Sequence, residues 1–315
     1  MAKEGVAVGI IGENIHIISK SVKEAIIARD EGFILNLAQK QIDSGIKIID
    51  LNIGPAKGAV SGSMAWLVEL LSSKFDVNFS LDTTNALELE SGFKILKNTE
   101  NCFLNSASAE PERLEKTVEI ASKYGSNLVA LTLNNAIGIP KTSEERLELA
   151  FEMVTAANEA GIENGKIYID PLVLPVSVDQ TQASVALESI RMFKESFDPE
   201  VKTVIGLSNI SNGSYKELRP VLNRAFLALA LGAGLDYVIA DGLDTELINV
   251  YNALRGEDIK INKIYKDLFD MSQNFGEIDD LEYNKEDKEA HAIYCAARVL
   301  LNKEIYTHSF VKGEN

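Results

Sequence analysis

The stretch IYIDPLVLPV, residues 167–176, sets a single acid, Asp170, among apolar neighbours. Burying a carboxylate is costly unless it is paired and hydrogen-bonded. Either Asp170 ends a strand and turns the chain into a loop, or it is aimed at something that donates hydrogen bonds. Acids and amides recur where other apolar runs stop: Asp50 and Asn52, Asp82 with Thr83, Thr84 and Asn85, Asn105 and Ser106, Asn134 and Asn135, Ser208 and Asn209. Taken singly, each is an ordinary helix N-cap residue, and Asn85 and Ser108 are read as caps. Six such run ends in one chain weaken that reading, and Lys and Arg are nearly absent from the same positions. A phosphate site would call for Gly-rich turns or cations, and a metal site for clustered His and carboxylates. The chain has only His16, His291 and His308. Only His16 could reach the others, a structural role is expected for it, and no metal site is predicted. Carboxylates and amides together suit a neutral ligand with many N–H donors and some acceptors, such as an aminopyrimidinone ring.

The elements that would carry these residues alternate regularly. Short apolar runs at 6–12, 46–52, 77–82, 102–105, 127–133, 166–170, 202–208 and 236–240 read as strands. Most are continuously apolar, as expected of parallel strands covered on both faces. Helical patterns follow them at about 21–44, 62–74, 85–97, 110–124, 143–161, 180–197, 215–232 and 243–254. Eight βα units predict an α/β fold, a single (β/α)₈ TIM barrel over 1–315, whose strand ends converge on one mouth. A doubly wound sheet is the alternative, but GIIGENIH follows the first run where a dinucleotide fold would have GxGxxG. The charged segment 255–288 is expected to be an excursion on the outside or lower face. A last helix at 287–302 and a short β-like tail, EIYTHSFV, follow it.

Composition bounds the partners. A net charge of -16 disfavours nucleic acid and an anionic membrane surface. Cys102 and Cys295 lie far apart, without CxxC spacing, and read as buried thiols. No signal peptide and no membrane-spanning run is evident, so a cytoplasmic protein is expected.

The motifs IIGE, DLNIGP (50–55), SLDTTN (80–85), LNSAS (104–108), GIP (138–140), YIDPLVLPV (168–176), GLSNIS (206–211), LNRAFLALALGAGLD (222–236) and SFVK (309–312) occur in this order. Together they resemble the pterin-binding methyltransferases, specifically methyltetrahydrofolate:corrinoid protein methyltransferases. That group includes the enzyme that methylates the corrinoid iron–sulfur protein in acetyl-CoA synthesis and the folate domain of cobalamin-dependent methionine synthase. The resemblance implies a TIM barrel with pterin recognition by Asp82, Asn105 and Asp170, and Asn209 at nitrogen-5 of the ring as the catalytic contact. Ser208 and Arg219 are implied near the ligand, although the segment from Asn209 to Asn223 runs about two residues longer than the family pattern. Glu13, Asp50 and Asn52 are further candidates. In GENIH, Asn14 stands where the family pattern has Arg, so that arginine's role is not carried over. The implied substrate is methyltetrahydrofolate, with tetrahydrofolate as its demethylated form. The implied partner is a corrinoid (cobalamin) protein, and a homodimer is expected.

The resemblance leaves the corrinoid partner open among acetyl-CoA synthesis, O-demethylation and methylamine systems. Dihydropteroate synthase is the nearest enzymatic alternative, but it needs basic residues for pyrophosphate near the last strand, and ALALGAGLDYVIADGLD has none. A non-catalytic pterin-binding subunit is a second alternative. A metal-dependent barrel lyase is disfavoured by the scarcity of histidine.

Overall fold

A computed structural model describes residues 9–136 and 138–310. Eight parallel strands close into a barrel in sequence order: β1 Gly9–His16, β2 Ile48–Gly54, β3 Asn78–Thr83, β4 Phe103–Ser108, β5 Asn127–Leu131, β6 Ile167–Asp170, β7 Lys202–Gly206 and β8 Tyr237–Ala240. β1 pairs with both β2 and β8, which removes every open edge. Helices α1 Lys20–Ala28, α2 Glu31–Asp43, α3 Ser63–Ser72, α4 Ala86–Phe93, α5 Pro111–Tyr124, α6 Ser143–Glu159, α7 Val176–Asp179, α8 Thr181–Ser196, α9 Arg219–Gly232, α10 Thr245–Leu254, α11 Lys263–Gln273 and α12 Lys288–Leu300 surround it. The fold is a (β/α)₈ barrel, as the alternation predicts. Among the described residues, no helix is long and apolar enough to cross a membrane.

Several boundaries differ from the sequence reading, each for a local reason. The expected first strand at 6–12 falls partly outside the described residues, and β1 runs on to His16. The helix expected over 21–44 is two helices. Arg29 ends the first in the left-handed region at φ 55, and Asp30 starts the second by accepting from the Phe33 N–H at 3.0 Å. Asn85 caps α4 as expected, but Ser108 caps nothing: it is a buried residue of β4, and Glu110 precedes α5. The tail EIYTHSFV forms no strand over residues 304–310; its last residue lies outside those described. It is fastened instead by Gln180, which donates to Glu304 O and accepts from the Tyr306 N–H.

The segment 255–288 is an excursion outside the barrel that carries a helix of its own. It contributes α11, whose Ile264, Tyr265 and Leu268 are buried in the same core as α9. The backbones come so close that a Cβ at Gly232 would stand 2.4 Å from Phe269 O and 2.8 Å from Ser272 Cβ. Ser272 Oγ also donates to Leu229 O at 2.7 Å and accepts from Arg191 Nη2 at 2.8 Å. We expect Gly232→Ala to lower unfolding free energy by roughly 1–3 kcal/mol, because helix backbones must separate to admit the methyl. Urea denaturation measures this, and an unchanged midpoint would show the contact to be loose.

Strand alternation sets the site. Ile11, Ile48, Phe103, Val129, Tyr168 and Val204 face one another inside the barrel. Phe103, Tyr168 and Tyr237 meet edge-on or tilted, with ring centroids 4.9 to 5.5 Å apart. They form an aromatic floor. Side chains two residues further along a strand share its face. The residues after Ile11, Ile48, Phe103 and Tyr168 at that step are Glu13, Asp50, Asn105 and Asp170. The polar layer therefore lies directly above an apolar plug, at the C-terminal ends of the strands.

Candidate functional site

Asp50, Asn105 and Asp170 are buried, and Asp82, Asn52, Glu13 and Ser208 are partly buried. Asn105 Nδ2 donates to Asp50 Oδ1 and to Ser80 Oγ, each at 3.4 Å. Both bonds are long, so the amide is held without being saturated. Asn52 Nδ2 donates to Asp82 Oδ2, and its Oδ1 accepts from the Gly54 N–H at 3.0 Å. Asp170 Oδ1 accepts from the Leu172 N–H at 2.7 Å, and this bond holds Leu172 at φ 66, a left-handed turn after the strand. Asp170 therefore does turn the chain, but with one oxygen.

Burial dominates the acids. It raises Asp170 to about 7 against the opposing Leu172 N–H, the Arg146 charge and the Gly206 N–H. Asp82 is also raised to about 7 by burial, opposed by Arg113 and by the Asn52 amide. Asp50 is raised by burial and then by the Asp82 charge, despite its bonds from Ser80 and Asn105. Such acids are poised for a partner that brings N–H groups.

The opposite wall comes from β1, β7 and β8. Ser208 Oγ donates to Glu13 Oε1, joining β1 to the turn after β7. That turn, Leu207–Ser211, is a short 3₁₀ helix presenting an exposed Asn209. A Cβ at Gly206 would stand 3.0 Å from Asn209 Nδ2, so the bare glycine gives the amide its place. Arg219 opens α9 and binds back to this turn, donating to Asn212 Oδ1 at 2.6 Å and Ser211 Oγ at 3.4 Å. Asn212 Nδ2 in turn donates to Asn209 Oδ1 at 3.3 Å. Asn14 ties β1 to the loop after β8 through Asp241 and Gly242. His16 ends β1, partly buried, and burial lowers its pKa against the charge of Asp241. Asn134 and Asn135 lie in the turn after β5, where the Asn135 N–H donates to Glu110.

A model of pterin binding enzymes matches residues 19–241. The chain belongs to the pterin-binding enzyme family. The methylcorrinoid:tetrahydrofolate methyltransferase of Eubacterium limosum is 28% identical over 262 residues, covering 82% of this chain and 94% of that protein. The methionine synthase of Mycobacterium tuberculosis is 31% identical over 231 residues, covering 70% of this chain and 19% of that much longer one. Among solved structures, a dihydropteroate synthase from Coxiella burnetii in complex with pteroic acid superposes with TM-score 0.59 at 14% identity, over 80% of this chain and 94% of that one. That likeness concerns the fold.

Within this family barrel, two groups behind the polar layer escape the sequence reading, which found the strand ends nearly free of cations. Arg113 of α5 donates to Thr84 O at 2.9 Å and to Ser106 O, bringing its charge to bear on Asp82. Arg146 of α6 is fully buried, donating from Nε to Pro140 O at 3.1 Å and from Nη2 to Gln182 Oε1 at 2.6 Å. Burial pulls its pKa down to about 10 against the pull of Asp170. Both arginines stand in the first turn of a helix, where a cation runs against the helix dipole. That misplacement is the signal in the sequence that could have found them.

Proposed function

We propose that this protein moves a methyl group between nitrogen-5 of methyltetrahydrofolate and the cobalt of a corrinoid carried on a partner protein. One observation carries the reading: Asp82, Asn105 and Asp170 form a donor-accepting layer at the strand ends, with Asn105 and Asp170 buried and Asp82 partly so, and an exposed amide, Asn209, stands on the turn after β7. The layer matches the amino and amide N–H edge of a pterin ring. The near full-length relative named as a methylcorrinoid:tetrahydrofolate methyltransferase supports the choice of reaction. The end of β8 runs into Ala240–Asp241–Gly242 without a cation, which disfavours pyrophosphate chemistry. The aromatic floor blocks solvent from below, so the ring's bonds to the acids form in a dry setting where they are stronger. The corrinoid supplies a strong nucleophile or the methyl donor, according to direction. This chain's task is to bind the ring, orient nitrogen-5 beside Asn209 and manage the proton there. We propose that the whole chain, 1–315, serves this one site and assembles as a homodimer; a monomer in sedimentation at micromolar concentration would refute the latter.

The direct test mixes protein and methyltetrahydrofolate with free Co(I) cobalamin and follows methylcobalamin by absorbance. The reverse mixture is methylcobalamin with tetrahydrofolate. Absence of transfer in both directions by folded protein would overturn the reading.

A pH effect follows from the acids. The ring's N–H groups favour carboxylates, whereas Asp82 and Asp170 hold protons up to about pH 7 in the unliganded fold. Below that pH, tetrahydrofolate binding should release protons, and its affinity should fall. Calorimetry in buffers of different ionisation enthalpy reads the release, and zero release at pH 6 would count against the pairing. The stability sign is opposite. Each carboxyl is raised above its unfolded value near 4, so its stabilising contribution is complete at low pH and is lost as pH rises through about 7. This part of the unliganded protein's stability should decline between those limits.

A further inference from the structure

We infer that Glu13 and Ser208 form a proton relay to nitrogen-5 of the pterin, with Ser208 Oγ passing the proton and Glu13 storing it. The inference rests on the methyl-transfer reading above. Its grounds are geometric. Glu13 is partly buried on β1, one strand step above the apolar plug, and its carboxylate binds the Ser208 hydroxyl directly. Ser208 shares the Leu207–Ser211 turn with Asn209, the residue proposed to meet nitrogen-5. A hydroxyl can accept a proton and donate another at once, which an amide such as Asn209 does poorly.

The charges facing Glu13 suit storage rather than a fixed ion pair. From β2 comes Asp50, from the loop after β8 Asp241, and from α9 Arg219. The Ser208 bond lowers the carboxyl, the two acids raise it, and Arg219, which lowers it least, is already committed to Ser211 and Asn212. Burial adds the largest push, and the carboxyl rests at about 7. A group poised there can give and take a proton at neutral pH. Asp82 and Asp170 are equally poised, but the proposed ring pairing occupies them.

The balance is simple. When the Co(I) of the partner's corrinoid attacks the methyl carbon, the carbon–nitrogen bond breaks and its electron pair stays on nitrogen-5. The Ser208 O–H, which donates to Glu13 in the unliganded fold, turns to nitrogen-5 and gives that nitrogen its proton, the proton of protonated Glu13 goes to Ser208, and Glu13 is left as a carboxylate to be reprotonated by water. In the reverse direction tetrahydrofolate loses its nitrogen-5 proton along the same path as its nitrogen takes the methyl group.

The test is single-turnover transfer between free cobalamin and saturating folate, in both directions, across pH 5.5 to 8.5, for the native protein, Glu13→Gln and Ser208→Ala. The native rate of demethylation should fall as pH rises through about 7, and the reverse rate should climb. Both variants should lose this dependence and slow by roughly 10- to 10²-fold, with folate affinity by calorimetry within about threefold. A variant that keeps the native profile and rate overturns the relay, as does one that loses only affinity. If Glu13→Gln does not fold, Ser208→Ala alone must show the flattened profile, and failure to do so overturns it equally. A native protein inactive in both directions would instead sink the methyl-transfer reading, so the two failures are distinct.

Discussion

Asp170→Ala should weaken tetrahydrofolate binding by roughly 30- to 10³-fold, equivalent to about 2–4 kcal/mol. The ring's N–H donors would enter a dry layer and find no acceptor, and the charge of Arg146 would lose its counterpart. Alanine also removes the bond that holds Leu172 in its left-handed turn. Asp170→Asn is therefore the sharper variant. Its side-chain oxygen can still accept from the Leu172 N–H, while its NH₂ group faces the ligand's donors. We expect comparable loss of affinity from Asn, with thermal unfolding close to native. Calorimetry separates the outcomes: an Asn variant that binds normally would leave Asp170 with only its turn-forming role.

Asn209→Ala should slow single-turnover methyl transfer by on the order of 10²-fold at saturating folate, as expected for loss of one preorganised donor. The amide gains most when nitrogen-5 exchanges its methyl group for a lone pair and proton, so its contact strengthens towards the transition state. A loss confined to ground-state binding would raise KM and leave the limiting rate intact. The substitution should be structurally mild, because Asn209 is exposed and its side chain bonds to Asn212, a near neighbour on the same turn. A normal limiting rate with weakened binding would make Asn209 another wall of the pocket.

Much of this arrangement is legible in the amino-acid sequence. Strands buried on both faces read as continuous apolar runs, and their alternation with helices counts out a barrel. The parity of Ile48 with Asp50, and of Tyr168 with Asp170, follows from the strand repeat once the strands are placed. What the sequence hides is contact between distant segments. Glu13 and Ser208 are 195 residues apart, and nothing local to either announces their bond. Arg113 and Arg146 sit on helices, away from the strand ends where chemistry was sought. The charge of segment 255–288 marks an excursion but not its inner side: α11 alternates exposed Lys and Asp with buried Ile264, Leu268 and Met271, and net composition conceals that buried face.

The sheathing of α9 bears on how the chain is made. Its Ala225 to Leu231 are buried without a break, although a helix on the outside of a barrel ordinarily shows one side to water. The extra cover comes from α11 and α12, both of which follow the last strand. On the ribosome, then, all eight strands emerge while α9 still lacks its outer coat. Until about residue 300 has left the exit tunnel, the nascent barrel carries the outward apolar side of this helix uncovered. Such a surface invites self-association and chaperone capture. Premature stops after β8 should therefore give chains that are retained or degraded, even though every strand and every proposed pterin contact is already present.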